Sequence, residues 1–116
     1  MPYRVTIRRG PSVERARAET LEAALDALEA AARDIGRRRR AEPVDLRFRT
    51  YAPGEQVVGR VELAGPTRLA PAVRAGVDVR GDGAMTAYVG RARRAPVAER
   101  DDESALQALR RALTTP

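Results

Sequence analysis

The sequence predicts a two-layer α+β sandwich: a mainly antiparallel sheet of five to six strands with two helices packed on one face. Three observations lead there. Several segments alternate polar and apolar residues one by one, the period of a half-buried strand. Two others space apolar residues by threes and fours, the period of an amphipathic helix. Each strand has a single apolar face, so one covering layer is enough. With 116 residues, residues 1–116 are expected to form a single α+β domain.

The elements follow in order. In Tyr3 to Arg9, Tyr3, Val5 and Ile7 share one side and Arg4, Thr6 and Arg8 the other. Gly10-Pro11 is a turn signal. Val13 to Glu19 is charged; it reads either as a second strand closing a hairpin or as an extended lead-in to a helix. Thr20 suits an N-cap before Leu21, and Glu22 complements the helix dipole. Leu21, Leu25, Leu28, Ala32 and Ile35 form one apolar stripe. Gly36 then stands where a C-cap glycine ends a helix, followed by Arg37, Arg38, Arg39 and Arg40.

Val44 to Tyr51 reads as the cleanest strand. Val44, Leu46, Phe48 and Thr50 point inward; Asp45, Arg47, Arg49 and Tyr51 point outward. Phe48, the only phenylalanine, is expected in the core. Gln56 to Leu63 returns after a hairpin loop, with Val57, Val61 and Leu63 inward and Arg60 and Glu62 outward. Gly65 to Ala75 contains two prolines and reads as an irregular loop. Gly76 to Arg80 and Ala84 to Arg91 form a hairpin around Gly81-Asp82-Gly83. Pairing Val79 with Met85 and Val77 with Ala87 keeps its apolar face together, which puts Gly83 in the left-handed conformation and Tyr88 on the side of Arg80. Asp101 or Asp102 suits the cap of a last helix whose stripe is Leu106, Leu109 and Leu113. Were Val13 to Glu19 not a strand, the element order would be similar to that of ribosome hibernation factors and near that of double-stranded-RNA-binding domains. None of their sequence motifs is present.

Composition narrows the chemistry. All 22 cations are arginine; lysine, histidine, cysteine, asparagine and tryptophan are absent, and the net charge is +6. Ala, Arg, Gly and Pro fill more than half the chain. GC-rich codons alone would write such a composition, so the arginine excess is modest evidence for an anionic partner. Without His and Cys, the commonest general base and the best nucleophile are missing. Asp78 and Asp45 sit among outward arginines as ion-pair partners, and no carboxylates have metal-loop spacing. Gly81-Asp82-Gly83 is not a phosphate loop, because no helix and no lysine follow it. The expectation is a non-enzymatic domain without metal or cofactor. No stretch approaches the roughly 20 apolar residues of a membrane span, Met1 to Gly10 alternates polar and apolar residues without the apolar core of a signal peptide, and there is no cysteine. A cytoplasmic protein is expected, with no membrane partner.

One constellation points to a partner. The outward sheet face would carry Arg4, Arg8, Arg47, Arg49, Arg60, Arg80 and Arg91, with Tyr51 and Tyr88 among them. Arginine pairs bidentately with phosphate and stacks on bases, and tyrosine offers a stacking platform. The expected function is therefore RNA or DNA binding, through this face or through the Arg37 to Arg40 run. The residues expected to carry it are Arg37, Arg38, Arg39, Arg40, Arg47, Arg49, Tyr51, Arg60 and Tyr88. The alternative is a protein-interaction module or homodimer.

Overall fold

The computed structural model describes residues 2–41, 57–66, 73–90 and 94–114, with the backbone alone at 39–41. Six strands, β1 (Tyr3–Arg9), β2 (Ser12–Ala18), β3 (Val57–Gly65), β4 (Val73–Arg80), β5 (Met85–Val89) and β6 (Ala95–Pro96), form one sheet in the order β2-β1-β3-β4-β5-β6. Every neighbouring pair is antiparallel. Two helices, α1 (Leu21–Ala41) and α2 (Ala105–Thr114), pack on the sheet. This is the α+β sandwich the periodicities predict. The expected strand Val44 to Tyr51, with Arg47, Phe48, Arg49 and Tyr51, lies outside the described residues, as does Arg91.

The core is the layer between helices and sheet. Leu25, Leu28, Ala32 and Ile35 of α1 and Leu106 and Leu109 of α2 meet Val5, Val61, Leu63, Val77, Val79 and Ala87 of the sheet. These residues of β1, β3, β4 and β5 are all odd-numbered, so one face of those strands supplies the core and, past the irregular start of β3, their even-numbered side chains point away from it.

Val13 to Glu19 resolves as a strand, so the conditional order with a single leading strand does not apply. The Gly10 turn, with φ at 52°, lets β2 fold back with Arg9 opposite Ser12 and Arg4 opposite Arg17. Ala16 and Ala18 then face the core, and Arg15 and Arg17 the opposite side. The β4–β5 hairpin has the register that its apolar face demands: Val79 opposite Met85, Val77 opposite Ala87, and Gly83 at φ 89°. Asp82 Oδ1 accepts from the Ala84 amide at 2.9 Å and braces the turn.

Four expectations are corrected. Gly36 does not end α1, which continues through the arginine run to Ala41. One interior glycine costs only about 1 kcal/mol against alanine, and arginines are good helix formers. Asp34 also reaches forward to Arg37 (3.6 Å) and Arg38 (3.1 Å) at helical i,i+3 and i,i+4 spacing. Val57 does not point inward. A bulge between Val57 and Gly59 shifts the alternation, leaving Val57 46 % exposed while Val58 packs against the core. Gly65 to Ala75 is not wholly loop, because β3 runs on to Gly65 and β4 begins at Val73. Neither Asp101 nor Asp102 caps α2. Ser104 Oγ accepts from the Gln107 amide (3.1 Å) and Gln107 Oε1 accepts from the Ser104 amide (2.8 Å), a reciprocal capping box. At the other end of the chain Thr20 caps α1 as expected, its Oγ1 accepting from the Ala23 amide at 3.1 Å.

Ion pairs tie the helix layer together. Arg110 bridges from α2 to Asp26 (2.6 Å) and Glu29 (3.0 Å) of α1. Arg111 donates to both oxygens of Glu103 at 2.9 and 3.0 Å, and also to the Ala98 carbonyl. These bonds, chiefly the Arg111 guanidinium and then the Arg100 amide, hold the Glu103 carboxyl down at about 2. The folded pKa lies below the ordinary value of 4.5. The associated stability is therefore complete above the ordinary value and is lost as pH falls from there toward about 2. Urea midpoints measured across this window should fall more steeply for the wild type than for Glu103→Gln. Identical slopes would show that the pair does not depress this carboxyl.

Candidate nucleic-acid interface

No described helix or strand covers the second sheet face. Register alone places its residues in rows across the strands. One row reads Arg17, Arg4, Ala64, Arg74, from β2 through β1 and β3 to β4. The next reads Arg15, Thr6, Glu62, Gly76, Tyr88, Pro96 and crosses all six strands. A third reads Val13, Arg8, Arg60, Asp78, Thr86. With Arg80 and Arg94, the described face holds eight arginines against two carboxylates, Glu62 and Asp78. Glu22, Asp26, Glu29 and Asp34 lie instead on α1, on the far side of the sheet.

Both carboxylates are engaged. Arg60 Nε donates to Asp78 at 2.6 Å, with a second bond at 3.4 Å, and this pairing raises the Arg60 pKa further. Arg8 donates to Glu62 at 3.1 Å. Arg80 donates to the Thr86 hydroxyl at 3.1 Å. Arg60 is therefore on the expected face, but its charge is largely answered from within the sheet. Arg4, Arg15, Arg17 and Arg74 have no carboxylate partner among the described residues. Arg4 and Arg17 stand directly opposite each other, and like charges across a strand pair repel. Residue-by-residue reading missed Arg15, Arg17, Arg74 and Arg94. The first two follow from the hairpin register once Val13 to Glu19 is a strand. Arg74 was hidden by the reading of residues 65–75 as loop.

Tyr88 departs from a stacking platform. Only 6 % of it is exposed. Its ring lies down across Gly76, where any side chain would collide with the hydroxyl end and with the Val61 carbonyl. The Arg94 guanidinium closes over the ring, 4.9 Å from its centroid. The hydroxyl is buried without a hydrogen-bond partner among the described residues. Burial, and then the charge of Glu62, pushes its pKa above 10.0, so at neutral pH it is a protonated donor. Beside the ring, where Ala64 is small, the sheet is hollow. A depression of about 260 Å³ opens between Arg4, Thr6, Glu62, Arg74, Tyr88 and Arg94.

The arginine run lies apart from this face. Arg37 and Arg38 share Asp34 with Arg9 of β1, whose guanidinium is 3.2 Å away. Arg9 also reaches Glu14 at 3.9 Å, so three cations meet two carboxylates and a net positive charge remains; Arg37 and Arg38 are both about two-thirds exposed. The side chains of Arg39 and Arg40 lie outside the described residues. No group of three or more acidic, His or Cys residues suited to a metal occurs among the described residues. No described helix is long and apolar enough to cross a membrane. No family model, curated protein or solved structure matches this chain.

Proposed function

We propose that this chain is a cytoplasmic, non-enzymatic nucleic-acid-binding domain that takes single-stranded RNA or DNA on its open sheet face. One observation carries the reading: eight arginines against two carboxylates on a face that no described element covers, with the acids of α1 on the other side. Arg4, Arg17 and Arg74 lie in one row, and repulsion between the first two is relieved by an anion between them. A flat sheet suits splayed single strands, whose bases stack on guanidinium planes while phosphates pair with the same groups. The alternative, a homodimer or a subunit whose sheet face pairs with another protein, would use this same face. Eight arginines against two carboxylates make it a poor apolar interface.

The test is the salt dependence of binding to a fluorescent single-stranded oligonucleotide. Wild-type log K should fall linearly with log salt. Replacing Arg4, Arg17 and Arg74 with glutamine should make that slope shallower by roughly 0.7 for each phosphate that is no longer neutralised. Replacing Arg60, already paired with Asp78, should change it least. Absence of binding at low salt would sink the proposal, and a dimer by sedimentation would then favour the protein-interaction reading.

A further inference from the structure

We infer that the depression between Arg4, Arg74 and Tyr88 is a seat for a terminal phosphate monoester, from a free nucleotide or from the end of a nucleic-acid strand. The inference deepens the proposed function and rests on the same face, but it can fail separately.

Two independent observations meet at this place. The first is charge. Arg4, Arg74 and Arg94 line one hollow, and none has a carboxylate partner among the described residues. The second is the Tyr88 hydroxyl, in a residue 94 % buried by its 6 % exposure. It makes no hydrogen bond among the described residues. A buried hydroxyl without a partner is costly, and a phenylalanine would fill the same space without that cost. Tyrosine here is explained if Arg94, which covers the ring, swings aside so that a ligand oxygen reaches the closed-off hydroxyl and completes the bond.

The charge of the seat selects the ligand. A phosphodiester inside a strand offers two free oxygens and one negative charge. A monoester offers three oxygens and nearly two charges, which match three guanidiniums and one hydroxyl donor. Glu62 lines the same hollow and is held by Arg8. Its charge repels an anion from that side and directs the phosphate toward Arg4 and Arg74. Ala64 keeps the floor clear, and Gly76 makes room for Tyr88: a side chain at position 76 would displace its hydroxyl.

The experiment compares decauridylates carrying a 5′-phosphate, a 3′-phosphate or hydroxyls at both ends, by fluorescence anisotropy with an internal label. Adenosine monophosphate, adenosine and inorganic phosphate are titrated separately by NMR. One phosphorylated decamer should bind about tenfold more tightly than the hydroxyl form, as expected for one added charged hydrogen-bond set. The end that gains identifies a strand terminus as the source. Saturable shifts at Tyr88 with adenosine monophosphate but not adenosine identify a free nucleotide. Tyr88→Phe and Arg74→Gln should each abolish the phosphate preference, and Tyr88→Phe should melt no lower than wild type. A lower melting temperature for Tyr88→Phe would mean that the hydroxyl has a structural partner and would overturn the inference. Equal binding of all three decamers, with no shifts from adenosine monophosphate, would also overturn it while leaving the proposed function standing. Should no decamer bind, saturable shifts from adenosine monophosphate keep the phosphate seat and remove the strand-binding reading, and their absence removes both.

Discussion

Leu28→Ala is expected to destabilise the protein by about 2–5 kcal/mol, the range for leucine truncations in well-packed cores. Leu28 is fully buried at the middle of α1, in the layer between helix and sheet. Removing its three outer carbons loses their transfer free energy and leaves a cavity. That cavity has little chance of collapsing. Its surroundings include Ala24 and Ala32 on the same helix, which have no side chain to swing inward, and β-branched Val5, Val61 and Val77 across the sheet. A core with few aromatics and many alanines also has little redundancy, so one leucine is a large fraction of its buried volume. Urea titration should show a lower midpoint with an unchanged slope. A loss below about 1 kcal/mol would mean that α1 does not pack on the sheet through this stripe.

Gly59→Val should destabilise by about 1–3 kcal/mol or more, through overpacking rather than loss. Gly59 lies where Ile35 of α1 packs against β3. A Cβ there would sit 2.9 Å from Ile35 Cγ2, 3.0 Å from Ile35 Cδ1 and 3.2 Å from the Arg8 carbonyl. The carbonyl belongs to the β1–β3 ladder and cannot move without breaking its pairing. Ile35, almost wholly buried, can yield only by leaving its rotamer or by shifting α1 outward. The cause can be isolated by a double-mutant cycle: Ile35→Ala makes room, so the double variant should be more stable than the sum of the single changes implies. Strict additivity would show that the cost lies with the Arg8 carbonyl or the neighbouring bulge rather than with helix approach.

Local pattern was enough wherever the deciding interactions lie within a few residues. Thr20 caps α1 and the apolar stripe from Leu21 to Ile35 faces the core. The Val77–Ala87 register follows from side-chain alternation across one tight turn. Local signals misled where two of them competed. Gly36 looked like a stop, but Asp34 with Arg37 and Arg38 carries the helix through it. Asp101 and Asp102 looked like caps, but the reciprocal Ser104–Gln107 pair satisfies two backbone groups at once. Val57 looked inward, because a bulge leaves no mark in a simple alternation.

The site divides along the same line. Alternation placed Arg60 and Tyr88 on the outward face, and they are there. It did not say that Arg60 would be held by Asp78, 18 positions along the chain, or that Tyr88 would lie down on Gly76 beneath Arg94. Nor did it bring Arg17, Arg4 and Arg74 into one row across the sheet. The class of fold, the two helix stripes and the polar face of each described strand could be read from the residues alone, because period and composition are properties of a short stretch of chain. Which arginines remain without a carboxylate, and where the sheet is hollow, emerged with the folded chain. Both depend on the order of the strands, which brings residues some 60 positions apart within reach and sets whether a charge meets an acid, another arginine or open space.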